Sequence, residues 1–306
     1  MRVSIFSLTC LILLNCTFVK GQGKRDSTDN LWHNWNTTEW FHWEEKLGKP
    51  FIELNYGLGS PSSDKLVTKF SDLGLEEIKL GYVSRKSDSD ESIFQFRDKY
   101  AFVSYLSTNL KSGSPATGQL KTDLLRFGFA HRSGYGYAVG TIRIIPYYGS
   151  SILWSRLNLK NSPSDVRSLS NPPVSSQNAL IDSNILDRFS NEFRFGTLSE
   201  GGVRLDIAST VSFNAGFETA VIFPRYMFWK HVGNIIVEEA SFGLLNKFID
   251  EVAYSSPYTA PVVNFLLKNG LSYTFFSLKK EKMNWPFETE APLTYQTFKF
   301  GVTFTF

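Results

Sequence analysis

Thr297-Phe298-Lys299-Phe300-Gly301-Val302-Thr303-Phe304-Thr305-Phe306 is the stretch on which the fold turns. Phe298, Phe300, Val302, Phe304 and Phe306 share one parity, and Thr297, Lys299, Gly301, Thr303 and Thr305 share the other. Successive side chains of a strand point to opposite faces, so this segment builds one apolar wall and one polar wall. The same period of two recurs upstream. Leu125, Phe127 and Phe129 alternate with Arg126, Gly128 and Ala130, and a longer alternation runs through Val203, Leu205, Ile207, Val211, Phe213, Ala215 and Phe217.

The other end of the chain reads as a leader. Met1-Arg2 precedes an apolar run from Val3 to Leu14, and Val19 and Gly21 are suited to the −3 and −1 positions of a cleavage site. This pattern predicts a secretory signal peptide over residues 1–21; the run is too short for a transmembrane helix, which needs about 20 apolar residues. A lipoprotein leader using Cys16 is the rival, against which stand Asn15 before it and Lys20 after it. Cleavage after Gly21 removes Cys10 and Cys16, leaving a mature chain without disulfides or thiolate metal sites. A cysteine-free exported protein of this size fits a Gram-negative envelope better than a eukaryotic secretory route. Setting aside Arg2 and Lys20 brings the net charge near +1, with no basic stripe for nucleic acid.

The chain carries 27 Phe, 13 Tyr and 7 Trp, yet no apolar run beyond the leader is long enough to cross a bilayer as a helix. Transmembrane strands reconcile the two facts, because each shows lipid only half of its residues. An aromatic residue closing an alternating segment resembles the last strand of bacterial outer-membrane β-barrels. The resemblance implies an outer-membrane location, outer-membrane lipids as surroundings, and recognition of Phe298, Phe300, Val302, Phe304 and Phe306 by the barrel-insertion machinery as an assembly signal.

Between the ends, residues 22–50 form an aromatic-rich segment with Trp32, Trp35, Trp40 and Trp43, suited either to a membrane interface or to a helix capping a barrel mouth. Strands are expected at Phe51–Gly57, Leu75–Val83 and Phe94–Leu106. A turn is expected at His131–Gly134, and a long Pro- and Ser-rich loop over 161–178 holds a short helix near Ile181–Phe189. Residues 225–270 break the period of two: Ile235, Ile236, Ala240, Leu244 and Phe248 recur at helical spacing. A second helix is expected from Ala260 to Lys268, stopped at Asn269-Gly270, followed by strands at Leu271–Leu278 and Tyr295–Phe306. The expected fold is therefore all-β, an antiparallel transmembrane barrel of about 10–12 strands over residues 51–306, with a helical insertion before the last two strands.

A lumen of that size must be filled or left as a narrow pore. The 225–270 insertion is thus expected as a plug or mouth element, with Arg225, Lys230, His231, Glu238 and Glu239 meeting lumen charges or a small solute. This favours a porin-like or transport channel, with a structural or assembly barrel as the alternative. A third reading is an esterase of lipid or lipopolysaccharide, with Ser133 as nucleophile and His131 as base. It lacks an evident acid to orient the imidazole, and Gly134 stands where lipid-hydrolysing barrels carry Asn. His33 and His42 near Glu39, Glu44 and Glu45 offer no convergent set of ligands, so neither metal nor cofactor is expected.

Overall fold

A computed structural model describes residues 48–87, 92–111, 118–166, 175–190 and 192–306. The expected signal peptide, the tryptophan-rich stretch and the two N-terminal histidines lie outside the described residues.

Eight antiparallel strands close into a barrel: β1 (Lys49–Ser62), β2 (Leu73–Ser87), β3 (Ile93–Ser107), β4 (Thr122–Val139), β5 (Ile142–Leu159), β6 (Arg194–Asp206), β7 (Val211–Ile222) and β8 (Leu293–Thr305). Each pairs with its sequence neighbours, and β8 returns to β1. Partners followed once around the wall run Phe51, Gly81, Tyr100, Ala130, Ser151, Leu198, Ala220 and Tyr295. Tyr295 then pairs with Pro61, a stagger of ten residues along β1 from the Phe51 start. Stagger and strand number together tilt the strands by roughly 35–45° to the barrel axis. At that tilt, strands of 12 to 18 residues are long enough to span a bilayer.

One end has the short connections Gly140-Thr141 and Ile207–Thr210. The Gly140 turn rests on its φ of +63°, which suits a two-residue hairpin and which a glycine adopts freely. The other end carries the long connections 63–72, 108–121, 160–193 and 223–292. These include α1 (Pro163–Val166), α2 (Ser176–Leu186), α3 (Phe228–Ser255) and α4 (Ala260–Lys279). The long loops are knitted together. Asp182 of α2 accepts from the Val67 and Thr68 amides at 3.1 and 2.8 Å and from the Thr68 hydroxyl at 2.6 Å. Outside this knot, Lys111 donates to Asp72 and holds its carboxyl below the usual carboxylate range.

The barrel class expected from the sequence holds, and three details change. The described residues form eight strands, not ten to twelve. His131–Gly134 is no turn but the middle of β4, where His131 pairs with Lys99 and Ser133 with Arg97. The Gly134 and Gly136 that suggested a turn sit where a Cβ would strike the Pro146 carbonyl oxygen and the Phe94 ring, so the strand needs them. β5 runs through Pro146, where the ladder between β4 and β5 lapses between Gly134↔Tyr147 and Tyr137↔Ile144 and then resumes. The third change is at Leu271–Leu278, which is helix and not strand. α4 runs through Asn269-Gly270, and its buried residues Asn264, Lys268, Ser272, Phe275 and Lys279 keep helical spacing. The helical insertion thus precedes only the last strand.

Candidate functional site

The inward parity of the strands carries the charge that the sequence left without an assigned place. Glu53 on β1, Glu77 and Lys79 on β2, Asp98 on β3, Arg126 and Arg132 on β4, Glu200 on β6, Glu218 on β7 and Lys299 on β8 are all buried inside the wall. Glu200 is the hub: Lys299 lies 2.9 Å away, Lys79 3.1 Å and Arg132 3.8 Å, and the Tyr147 hydroxyl donates to it at 2.7 Å. Lys299 also reaches Glu218 at 2.7 Å and Glu77 at 3.0 Å, while Arg126 meets Glu218 at 2.7 Å. Arg132 reaches Glu53 at 2.7 Å and Asp98 at 3.2 Å, and its guanidinium lies 4.7 Å from the Tyr100 ring centroid. Buried charges persist only when paired and hydrogen-bonded; here Lys79, Arg132 and Lys299 each face several carboxylates, and Arg126 faces Glu218 and the Ser104 hydroxyl.

Apolar layers close the lumen above and below this network. Leu73, Leu75, Leu106, Leu120, Leu124 and Tyr295 pack at the long-loop end, and Phe51, Val83, Phe94, Phe96 and Ile145 at the short-turn end. An eight-stranded interior is just wide enough for side chains to fill it. This one is filled.

The outward parity is different. Leu54, Leu80, Phe129, Phe213 and Phe300 are each exposed, as are Phe298, Phe304 and Phe306 on and just beyond the closing strand. Apolar residues standing in rows on the outside of a sealed polar interior invert the soluble pattern. The molecule is a transmembrane β-barrel. No family model and no curated protein matches its sequence. Among solved structures, it is similar to Neisserial surface protein A (NspA) at 9% identity and TM-score 0.41, covering 86% of this chain and 100% of that one. It is also similar to the outer membrane protein OprG from Pseudomonas aeruginosa, at 10% identity and TM-score 0.24, covering 85% and 97%.

One sector of the outer wall of this barrel departs from the apolar rule. His131 and Ser133 of β4, Tyr148 and Ser150 of β5, and Ser199 and Gly201 of β6 all point outward, and register sets them side by side in two rows. The α3–α4 hairpin covers them. Tyr148 stacks on Phe242 of α3 with ring centroids 5.2 Å apart, and Asn269 of α4 donates to the Tyr147 carbonyl at 3.3 Å. A Cβ at Gly201 would lie 2.2 Å from the Asn269 side-chain oxygen, so the glycine is what lets α4 sit against the wall. At the turn between the helices, Tyr258 accepts from the Tyr137 hydroxyl at 2.6 Å, close to the short-turn end. The hairpin therefore descends the outside of the barrel along its whole height.

This placement corrects the expected plug. No residue of the 225–270 stretch can enter a lumen already packed by strand side chains. Arg225 pairs with Glu290 at 2.9 Å, and Lys230 donates to the Glu288 carbonyl at 2.7 Å, both at the long-loop end. His231 is buried against Phe223 and bonded to Asn284. Glu238 pairs with Lys279 between the helices, and Glu239 is a half-buried residue of α3. His131 and Ser133 are neighbours on one face, as the esterase reading requires. Both are buried, however, 6% and 8% exposed, so an ester has no approach to the Ser133 hydroxyl while the hairpin is in place.

The lumen network was the missed feature, and a signal for it existed. Lys299, Glu53, Glu77, Lys79, Arg126 and Glu218 all stand at the polar parity of alternating strands. Opposite charges recurring on that parity mark a lumen that neutralises itself.

Proposed function

We propose that the chain is an integral outer-membrane barrel whose interior is structural: a lipid-embedded scaffold that holds up a knitted loop end, and not a solute channel. The single observation that supports this is the lumen, crossed by the Glu53–Arg132–Glu200–Lys299–Glu218 chain of ion pairs and sealed by apolar layers. Passage of a solute would require pulling apart charges that are almost completely buried, and each would then be left unpaired in a medium of low polarity. In this reading the short turns face the periplasm and the long loops face outward, the usual arrangement in such barrels.

Purified protein reconstituted in planar bilayers is expected to give no discrete conductance steps above the protein-free baseline. Stable, reproducible steps would overturn the scaffold reading in favour of the porin-like one. The assembly role carries over from the resemblance of the closing strand. Phe306 is exposed, and its amide donates to the Pro50 carbonyl at 2.9 Å, so it belongs to the seam that closes the ring. Deleting Phe306 is expected to reduce the heat-modifiable, outer-membrane-inserted fraction strongly while leaving export intact. Normal insertion of the deleted form would show that the terminal aromatic is not part of the signal.

A further inference from the structure

We infer that the α3–α4 hairpin lies within the bilayer itself, with its outer face in contact with lipid acyl chains, as a helical piece of the barrel's membrane surface. This rests on the membrane reading of the barrel and extends it to a segment that hydropathy alone would leave in water. No helix among the described residues is long and apolar enough to cross a membrane alone. For α4 the reason is on its inner face: Asn264, Lys268, Ser272 and Lys279 are buried toward the wall and α3, and they lower the mean hydropathy without ever meeting the outside.

The outer face is what a surrounding solvent meets, and it is apolar. Leu244 is 70% exposed and Leu266 60%, as much as or more than Leu54 on the bare barrel wall at 49%. Ile236 and Val262 continue that surface. A helix that buries its polar residues and exposes its leucines is inside-out for water and correct for hydrocarbon. Dimensions agree. Twenty residues of α4 rise about 30 Å, and the hydrocarbon core is about 30 Å thick. Aromatic residues mark both limits, with Tyr226, Phe228 and Trp229 exposed at the long-loop end and Tyr254 and Tyr258 at the short-turn end. The exposed charges Lys247, Asp250 and Glu251 fall in the last turns of α3, beside that second aromatic collar.

The wall beneath supplies an independent argument. Over the bare middle of the wall the outward parity offers lipid apolar and aromatic side chains such as Leu54, Leu80, Val103 and Phe129, but under the hairpin it offers Ser133, Ser150, Ser199 and the Tyr148 hydroxyl. Without the hairpin this polar strip would face acyl chains, an unfavourable exchange for hydroxyl-bearing surface. The hairpin covers the strip and extends the belt across the gap, continuous with Phe129 on β4 and Phe217 on β7.

The test uses the full barrel in lipid nanodiscs, carrying a nitroxide at Leu266→Cys or Leu244→Cys. Leu54→Cys serves as a wall reference and Val67→Cys as a loop reference. Collision with oxygen, which concentrates in hydrocarbon, is compared with collision with a water-soluble nickel chelate. The inference predicts that both hairpin sites match Leu54, with high oxygen and low nickel accessibility. Nickel accessibility like that of Val67 at the hairpin sites, with Leu54 still lipid-like, would overturn the inference alone. Protection from both reagents would overturn it in favour of a second protein surface covering the hairpin. If Leu54 itself proves water-accessible, the membrane reading fails first, and the hairpin inference falls with it.

Discussion

Replacing Arg132 by methionine is expected to destabilise the folded barrel by about 3–5 kcal/mol, the usual range when one partner of a buried ion pair is removed. Arg132 is fully buried and faces Glu53, Asp98 and Glu200 at once. Its loss leaves three carboxylates with less positive charge in a closed space that water does not reach. Methionine fills much of the volume, so the effect reads electrostatics more than a cavity. Urea unfolding from lipid vesicles, followed by tryptophan fluorescence, measures it. The double variant Glu53→Gln/Arg132→Met should recover part of the loss, because it removes one of the stranded charges; the two single costs should not add. A midpoint for Arg132→Met within about 0.5 kcal/mol of the parent would be the size of an ordinary surface substitution. Such a result would mean that the network is not what holds the lumen shut.

The second large effect is expected at Gly201→Leu. Any Cβ there collides with Asn269, 2.2 Å away, and leucine adds three more carbons along the same line. The barrel wall is fixed by ladders on both sides of β6, so α4 is the element that must yield. Overpacking of this kind typically costs about 1–3 kcal/mol, borne here by hairpin docking and not by barrel closure. Pulsed electron-resonance distances between labels at Leu266→Cys and Phe129→Cys should lengthen and broaden in the Gly201→Leu background, while heat-modifiable migration stays normal. An unchanged distance distribution would show that the hairpin is not seated on that glycine.

These two sites also show which parts of the protein were legible in its sequence. The closing strand was legible because one parity must face lipid and the other the lumen, and Phe298 and Lys299 declare their sides. Strand number was not, because β4 contains His131-Arg132-Ser133-Gly134, a run whose composition suits a turn. Only the lumen explains it: Arg132 is drawn inward by Glu53 and Asp98, and Gly134 accommodates the crowded Pro146 backbone. The hairpin was legible as helix but not as an external element. Its charges suggested a polar surface, whereas Glu238 and Lys279 are spent on each other between the two helices. Leu271–Leu278 misled because Leu271, Tyr273 and Phe275 alternate with Ser272 and Thr274 and so imitate a strand over a few positions, while burial there follows helical spacing.

The seam between β1 and β8 has a kinetic consequence. Ser62 and Thr294 share a hydrogen bond across 232 positions of chain, so the ring cannot close until almost all of the polypeptide is present. Contacts this distant in sequence carry a large loop-closure penalty before they return anything, which makes them slow to form. Until then β1 and β8 each present an open row of backbone donors and acceptors. The hairpin leaves the chain just before β8, so its docking along β4 to β7 shortens the effective distance that the last strand must search.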